Sequence, residues 1–270
     1  MAPMLRHLLP AVLLPLPALA QERIPSHCLA FAEGPARLQT AAWTDPVAPD
    51  SVRLTYVDHS MVLIQTPSLR AVTDFNGYLG NVDLVPDVVT MNRAHTTHFT
   101  RVPDPAIPHV LNGWGEAGAA AAHDLDLGEM RIRNVPTDIR NGRGGRIPDG
   151  NSIFLFEAAG LCLGHMGHLH HEPTEEDYAA MGRVDVAMVA VDGGLTLPIE
   201  EVIATMERLR ASVVIPIHAF GPVPLGRFAD GMAEAGFDVV RLEGAELVMS
   251  RERLPSRPTV MILEPSFLGE

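Results

Sequence analysis

The residue type best placed to do chemistry in this chain is histidine, with 12 in 270 residues against 3 tyrosines. Most of these histidines fall in three short segments. His95 and His98 lie in the polar stretch 91–100, while His165, His168, His170 and His171 belong to Gly-His-Met-Gly-His-Leu-His-His. His218 directly follows Val213-Val214-Ile215-Pro216-Ile217. Neutral imidazole is the commonest ligand for Zn, Fe, Cu or Ni, whereas a structural zinc site more often recruits several cysteines. The chain has only 2 Cys, so the pattern leans towards catalytic or transport metal chemistry. His7, His27, His59, His109 and His123 are scattered, and a lone loop histidine is usually solvated or hydrogen-bonded. The bland reading of the His-rich run is an exposed turn that binds metal adventitiously. Three separate segments with the same placement count against it.

Each segment follows an apolar run that reads as a strand, and loops at strand ends are where a rigid scaffold presents site residues. The pattern predicts strands at 52–57, 61–65, 70–73 and 86–90, a weak helix over 117–122, and strands at 130–135 and 152–157 around a glycine-rich loop, 141–150. Thr174-Glu175-Glu176-Asp177 predicts a helix start, with the acidic residues at the positive end of the dipole. Strands at 185–191, 213–217 and 237–242 then alternate with helices at 198–210 and 225–235. Strands first, then strand–helix alternation, predicts an α/β protein of two mixed sheets covered by helices.

Composition narrows the function classes. The net charge is −13, all 20 basic residues are Arg, and they form no cluster, so a nucleic-acid partner is not expected. Residues 1–20 have the parts of a secretory signal peptide: Arg6, a leucine-rich run too short to span a bilayer, and Ala18-Leu19-Ala20 before Gln21. Export, to the periplasm in a Gram-negative cell, is the expectation, with no membrane span in the mature chain. Residues 21–50 read as a Pro- and Ala-rich arm and 51–270 as one domain. Cys28 and Cys162 both enter an oxidising compartment, but spacing alone does not pair them.

The order of these segments resembles the metallo-β-lactamase superfamily, and within it the branch of ascorbate-6-phosphate lactonase-like hydrolases. The resemblance spans about residues 50–245. It starts in Leu-Thr-Tyr-Val-Asp-His-Ser, with Asp58-His59-Ser60 in a turn, and runs to Thr73-Asp74. The family's His-x-His-x-Asp-His loop corresponds to Arg93-Ala94-His95-Thr96-Thr97-His98, and its Gly-Asp-Leu-Gly-His motif to Gly164-His165-Met166-Gly167-His168. The last ligand matches His218. The resemblance implies an αββα sandwich with the site at the sheet edges.

In that family two metals share a bridging aspartate. Here Arg93 replaces the first histidine, Thr97 the loop aspartate and His165 the bridging aspartate, while Ile139, beside Asp138, takes the place of the middle histidine. These departures leave a single metal on His98, His165 and His218, with His95 as a fourth ligand; zinc is the first choice, with Fe, Mn and Cu as alternatives. Asp138 and Asp192 are the candidate bases by type alone. The resemblance implies that Asp74 holds a metal-loop residue, against the plain reading of a turn aspartate, and that His168 faces substrate or caps a turn. The favoured expectation is hydrolysis of a small ester, lactone or phosphate-bearing substrate. The alternatives are a non-catalytic metal-binding protein on the same scaffold, and a metal-free one in which Arg93 holds an anion.

Overall fold

The computed structural model describes residues 42–116 and 119–269. The signal-peptide reading, most of the 21–50 arm and Cys28 lie outside the described residues. The chain runs β1 (Ser51–Asp58), β2 (Met61–Gln65), β3 (Arg70–Val72), β4 (Val88–Met91), β5 (His109–Asn112), β6 (Asp124–Asp126), β7 (Met130–Arg140), β8 (Arg146–Ala158) and β9 (Leu161–His165). It continues α1 (Glu175–Met181), β10 (Val186–Ala190), α2 (Ile199–Leu209), β11 (Val213–Ile217), α3 (Pro222–Glu234), β12 (Asp238–Arg241), β13 (Glu246–Ser250) and β14 (Thr259–Ile262).

These strands form two mixed sheets, ordered β13-β1-β2-β3-β4-β5 and β12-β14-β11-β10-β9-β8-β7-β6. Val186–Ala190 is apolar and buried throughout, as a parallel strand covered on both faces must be. Leu54, Ile64, Phe154, Phe156, Met188 and Ile215 pack between the sheets. The outer face of the second sheet is covered by the helices, through Met181 of α1, Val202 and Met206 of α2, and Phe228 and Met232 of α3. The outer face of the first is covered by loop residues, Phe75, Leu79, Ile107 and Trp114 among them. The two-sheet sandwich with flanking helices is therefore the expected one, with α1, α2 and α3 on one side.

Thr174 caps α1 in a reciprocal box: its hydroxyl accepts from the Asp177 N–H, and the Asp177 carboxylate accepts from the Thr174 N–H. Two local expectations fail. Residues 119–123 are not helical but lead directly into β6. The alanine-rich stretch is turned by Gly115, where an added Cβ would fall 1.9 Å from the Ala119 carbonyl oxygen. The 141–150 loop is also shorter than expected. Asn141 Oδ1 accepts from the N–H groups of Arg143 and Gly145, which closes the turn and lets β8 start at Arg146. Cys162 is buried on β9 and is not a free thiol.

Candidate metal centre

Four imidazoles converge where the two sheets meet. His59 comes from the turn between β1 and β2, His95 and His98 from the loop after β4, and His218 from the end of β11. One ring nitrogen from each lies within 4.8 Å of the others. His59 and His218 have φ of 50° and 57°, and Asp74, behind the cluster, has 44°. Left-handed backbone at three non-glycine residues costs conformational energy that the surrounding structure must offset, and such residues gather at functional sites.

The tautomers follow from the residues behind the rings. Asp74 Oδ2 lies 2.5 Å from His98 Nδ1, and both side chains are completely buried. Burial alone would raise the Asp74 pKa, but the charge and hydrogen bond of His98, with the Asn92 amide, hold it well below the usual carboxylate range. Asp192 Oδ2 lies 3.0 Å from His218 Nδ1, off the line of an ideal hydrogen bond. Burial again opposes ionisation, and His218 with the backbone N–H groups of Thr196 and Gly194 overcomes it. An ionised carboxylate only accepts, so each Nδ1 carries a proton, and the neutral form of each ring offers its lone pair at Nε2. Those two Nε2 atoms face each other at 3.2 Å. In their neutral forms the two rings aim their lone pairs at one point, as two ligands of one cation do. Two imidazoles on one tetrahedral zinc, at roughly 2.0–2.1 Å each, would put their nitrogens about 3.3 Å apart. The donor set fits a divalent cation.

His95 and His59 complete the group with weaker support. His95 Nδ1 is 2.7 Å from the Thr97 hydroxyl, and its Nε2 is 3.1 Å from His168 Nε2. His59 Nε2 is buried without a partner, and its ring centroid lies 3.9 Å from that of His218. Burial first, and neighbouring imidazoles second, push His59 down to about 3 and His95 to about 4. Both are neutral near pH 7, the form a metal requires.

The residues singled out from sequence are distributed unevenly around this group. His95, His98 and His218 are brought together. His165 is not, which corrects its place in the ligand set: its Nε2–H donates to the Ser60 carbonyl at 2.9 Å and its Nδ1 accepts from the Gly167 N–H at 3.2 Å, so neither nitrogen is available. His59, assigned no role from sequence, takes its place. The only sequence signal was its position in the Asp-His-Ser turn. His168 packs against the cluster, with ring centroids 4.8–5.2 Å from those of His95, His98 and His218, and its buried Nδ1 has no partner. Asp192 orients His218 and so is not placed as a base. Asp138 sits in the β7–β8 hairpin, where its carboxylate pairs with Arg146 and accepts from the Asp149 N–H. Arg93 is exposed in the same loop as His95 and His98, and Ile139 is buried on β7.

Buried polar groups fasten the site to both sheets. The His59 carbonyl accepts from the Tyr56 hydroxyl at 2.7 Å and from the His218 N–H at 2.7 Å. Asn92 Nδ2 donates to Asp74 Oδ1 at 2.9 Å, and Asn92 Oδ1 accepts from the Ser152 N–H at 2.8 Å. Asn151 Oδ1 accepts from the His168 N–H at 2.7 Å. Gly167 is required at this crossing: its φ is +62°, and a Cβ would sit 2.5 Å from Asn151 Oδ1 and 2.6 Å from Asn92 Nδ2. Among the described residues no helix is long and apolar enough to cross a membrane.

Comparison with known proteins matches this fold. A protein assigned to the zinc-dependent hydrolases of the metallo-β-lactamase superfamily, from Thermotoga maritima, superposes with a TM-score of 0.57 at 20% identity, covering 79% of this chain and 99% of that one. Igni18, a metallo hydrolase from Ignicoccus hospitalis, gives 0.53 at 18% identity over 80% and 96% of the two chains. CmlA, a diiron β-hydroxylase from Streptomyces venezuelae, gives 0.51 at 11% identity over 76% and 55%. At these identities the likeness is one of fold. No curated protein matches the sequence. The model of the beta-lactamase superfamily domain matches residues 53–218, which is more than half of the chain and ends on the last histidine of the cluster, and the chain belongs to that family.

Proposed function

We propose that this chain is an exported hydrolase of a small ester or lactone, working with one divalent metal held by His59, His95, His98 and His218. The observation that carries the reading is the pair of facing Nε2 atoms, each on a ring whose Nδ1 is backed by a buried carboxylate. Zinc is the favoured ion, since it takes neutral imidazole donors and can expand to five-coordinate, which leaves a position for water or substrate beside four histidines; Fe, Mn and Cu accept the same donors. A cation there would supply Lewis-acid polarisation of a carbonyl and make water acidic near neutral pH. The chain's own residues bind and orient. Asp74 and Asp192 fix two imidazoles, and the His168 ring packs against the cluster and keeps it in place. Residues 1–20 are the basis for export, and the Asp58-His59-Ser60 turn for placing the chain near the lactonase-like branch. Purified protein is expected to hold about one equivalent of metal and to hydrolyse p-nitrophenyl acetate or a simple lactone. Absence of stoichiometric metal, with activity unchanged in His218→Ala, would reject the reading.

One observation favours a second reading, metal chemistry other than hydrolysis. No carboxylate belongs to the ligand group among the described residues, and the two nearest are committed to imidazoles. Full metal loading with no turnover of esters, lactones or phosphodiesters would select this reading over the first.

A further inference from the structure

The rim of the histidine cluster carries an apolar face that metal binding does not use. The Phe220 ring lies 5.5 Å from His59 and 5.1 Å from His218, yet 52% of Phe220 is exposed. Leu195 and Val223, 62% and 71% exposed, lie on the two segments beside it. These segments touch: a Cβ on Gly193 would sit 3.4 Å from Pro224 Cβ, so the loop carrying Leu195 abuts the first turn of α3. Neither stretch, 193–196 or 219–225, contains a charged residue, in a chain whose net charge is −13. The loop is also fixed from two sides. Asp192 Oδ1 accepts from the N–H groups of Gly194, Leu195 and Thr196, and Arg140 Nη2 donates to the three corresponding carbonyls at 2.7–3.2 Å. Exposed apolar side chains on a pinned backbone, one of them in ring contact with two of the histidines, are the pattern of a preorganised binding surface.

We infer that Leu195, Phe220 and Val223 form the subsite for an uncharged alkyl or aryl portion of the substrate. This rests on the hydrolase reading and narrows it to apolar esters or lactones, in place of phosphate-bearing substrates. Asp192 has a consequence here as well. One carboxylate faces a metal ligand with Oδ2 and positions the specificity loop with Oδ1, so the subsite and the centre are built as a unit.

The test uses metal-loaded protein and a series of alkyl hydroxamates from aceto- to octanohydroxamic acid, with affinity read by calorimetry so that no turnover is needed. Affinity is expected to rise with chain length, up to about fourfold per buried methylene. The rise should flatten in Phe220→Ala and in the double variant Leu195→Ser/Val223→Ser, which leaves the rings facing the ligands intact. Metal content is measured in every sample. A loaded protein that binds none of the series, shows no rise with length, or keeps the full rise in both variants overturns the subsite alone. A protein that takes up no metal overturns the parent reading and the subsite together, and metal analysis tells the two failures apart.

Discussion

The two halves of the histidine cluster are held in different ways. His98 and His218 are buried, and each turns its Nδ1 to a carboxylate that is itself fixed, Asp74 by Asn92 and Asp192 by backbone N–H groups. His95 is exposed, and its Nδ1 meets only the hydroxyl of Thr97, two residues away; His59 is half-buried with an unpartnered Nε2. A carboxylate behind an imidazole fixes its tautomer and raises its basicity, and a hydroxyl does so less. In the proposed centre the first half would set affinity and the second complete the coordination. Substitutions should separate them.

The largest effect is expected for His218→Ala or His98→Ala, with metal stoichiometry by elemental analysis falling from about one to near zero and any hydrolysis lost with it. Next is Asp74→Asn, which keeps the shape but removes the buried charge; metal affinity should drop roughly 10- to 100-fold in a chelator competition. If Asp74→Asn matches His98→Ala in severity, the loss is structural, and circular dichroism would show it. His95→Ala should weaken metal by less than Asp74→Asn in the same assay. An equal or greater loss would erase the division between the two halves. The smallest effect concerns acid. His59 and His95 are pushed down to about 3 and about 4 from an ordinary 6.5, so the unfolded chain binds more protons at these sites than the folded one. Their stabilising contribution is complete above pH 6.5 and is lost as pH falls towards 4. Melting temperature of the metal-free protein should drop over that window, and by less in His59→Gln.

The same division marks what the sequence discloses. His95, His98 and His218 are legible because each follows an apolar run that really is a strand, and strand ends fix where a side chain emerges. His59 is not, since a two-residue turn with positive φ gives no periodic signal and its neighbours in space come from β4 and β11. His165 matches the position of a ligand by motif order. Motif order does not reveal that the Ser60 carbonyl lies opposite its Nε2, because that contact spans 105 positions in the chain. Strands β5, β13 and β14 escape a local reading for the same reason: they are defined by distant partners, β13 by β1 and β14 by β11 and β12. The helix expected at 117–122 shows the converse, a local alanine preference overridden by the chain's path past Gly115.

The His59 carbonyl, which takes one hydrogen bond from Tyr56 and another from the backbone of His218, has a kinetic consequence. It joins a ligand on the first sheet to a ligand on the second, so parting the sheets at this edge breaks the coordination sphere in the same motion. An ion held from both sheets would bind the closed sandwich in preference to the parted one, so metal loading should slow the parting of the sheets at this edge. Amide exchange along this edge, with and without metal, would read that difference.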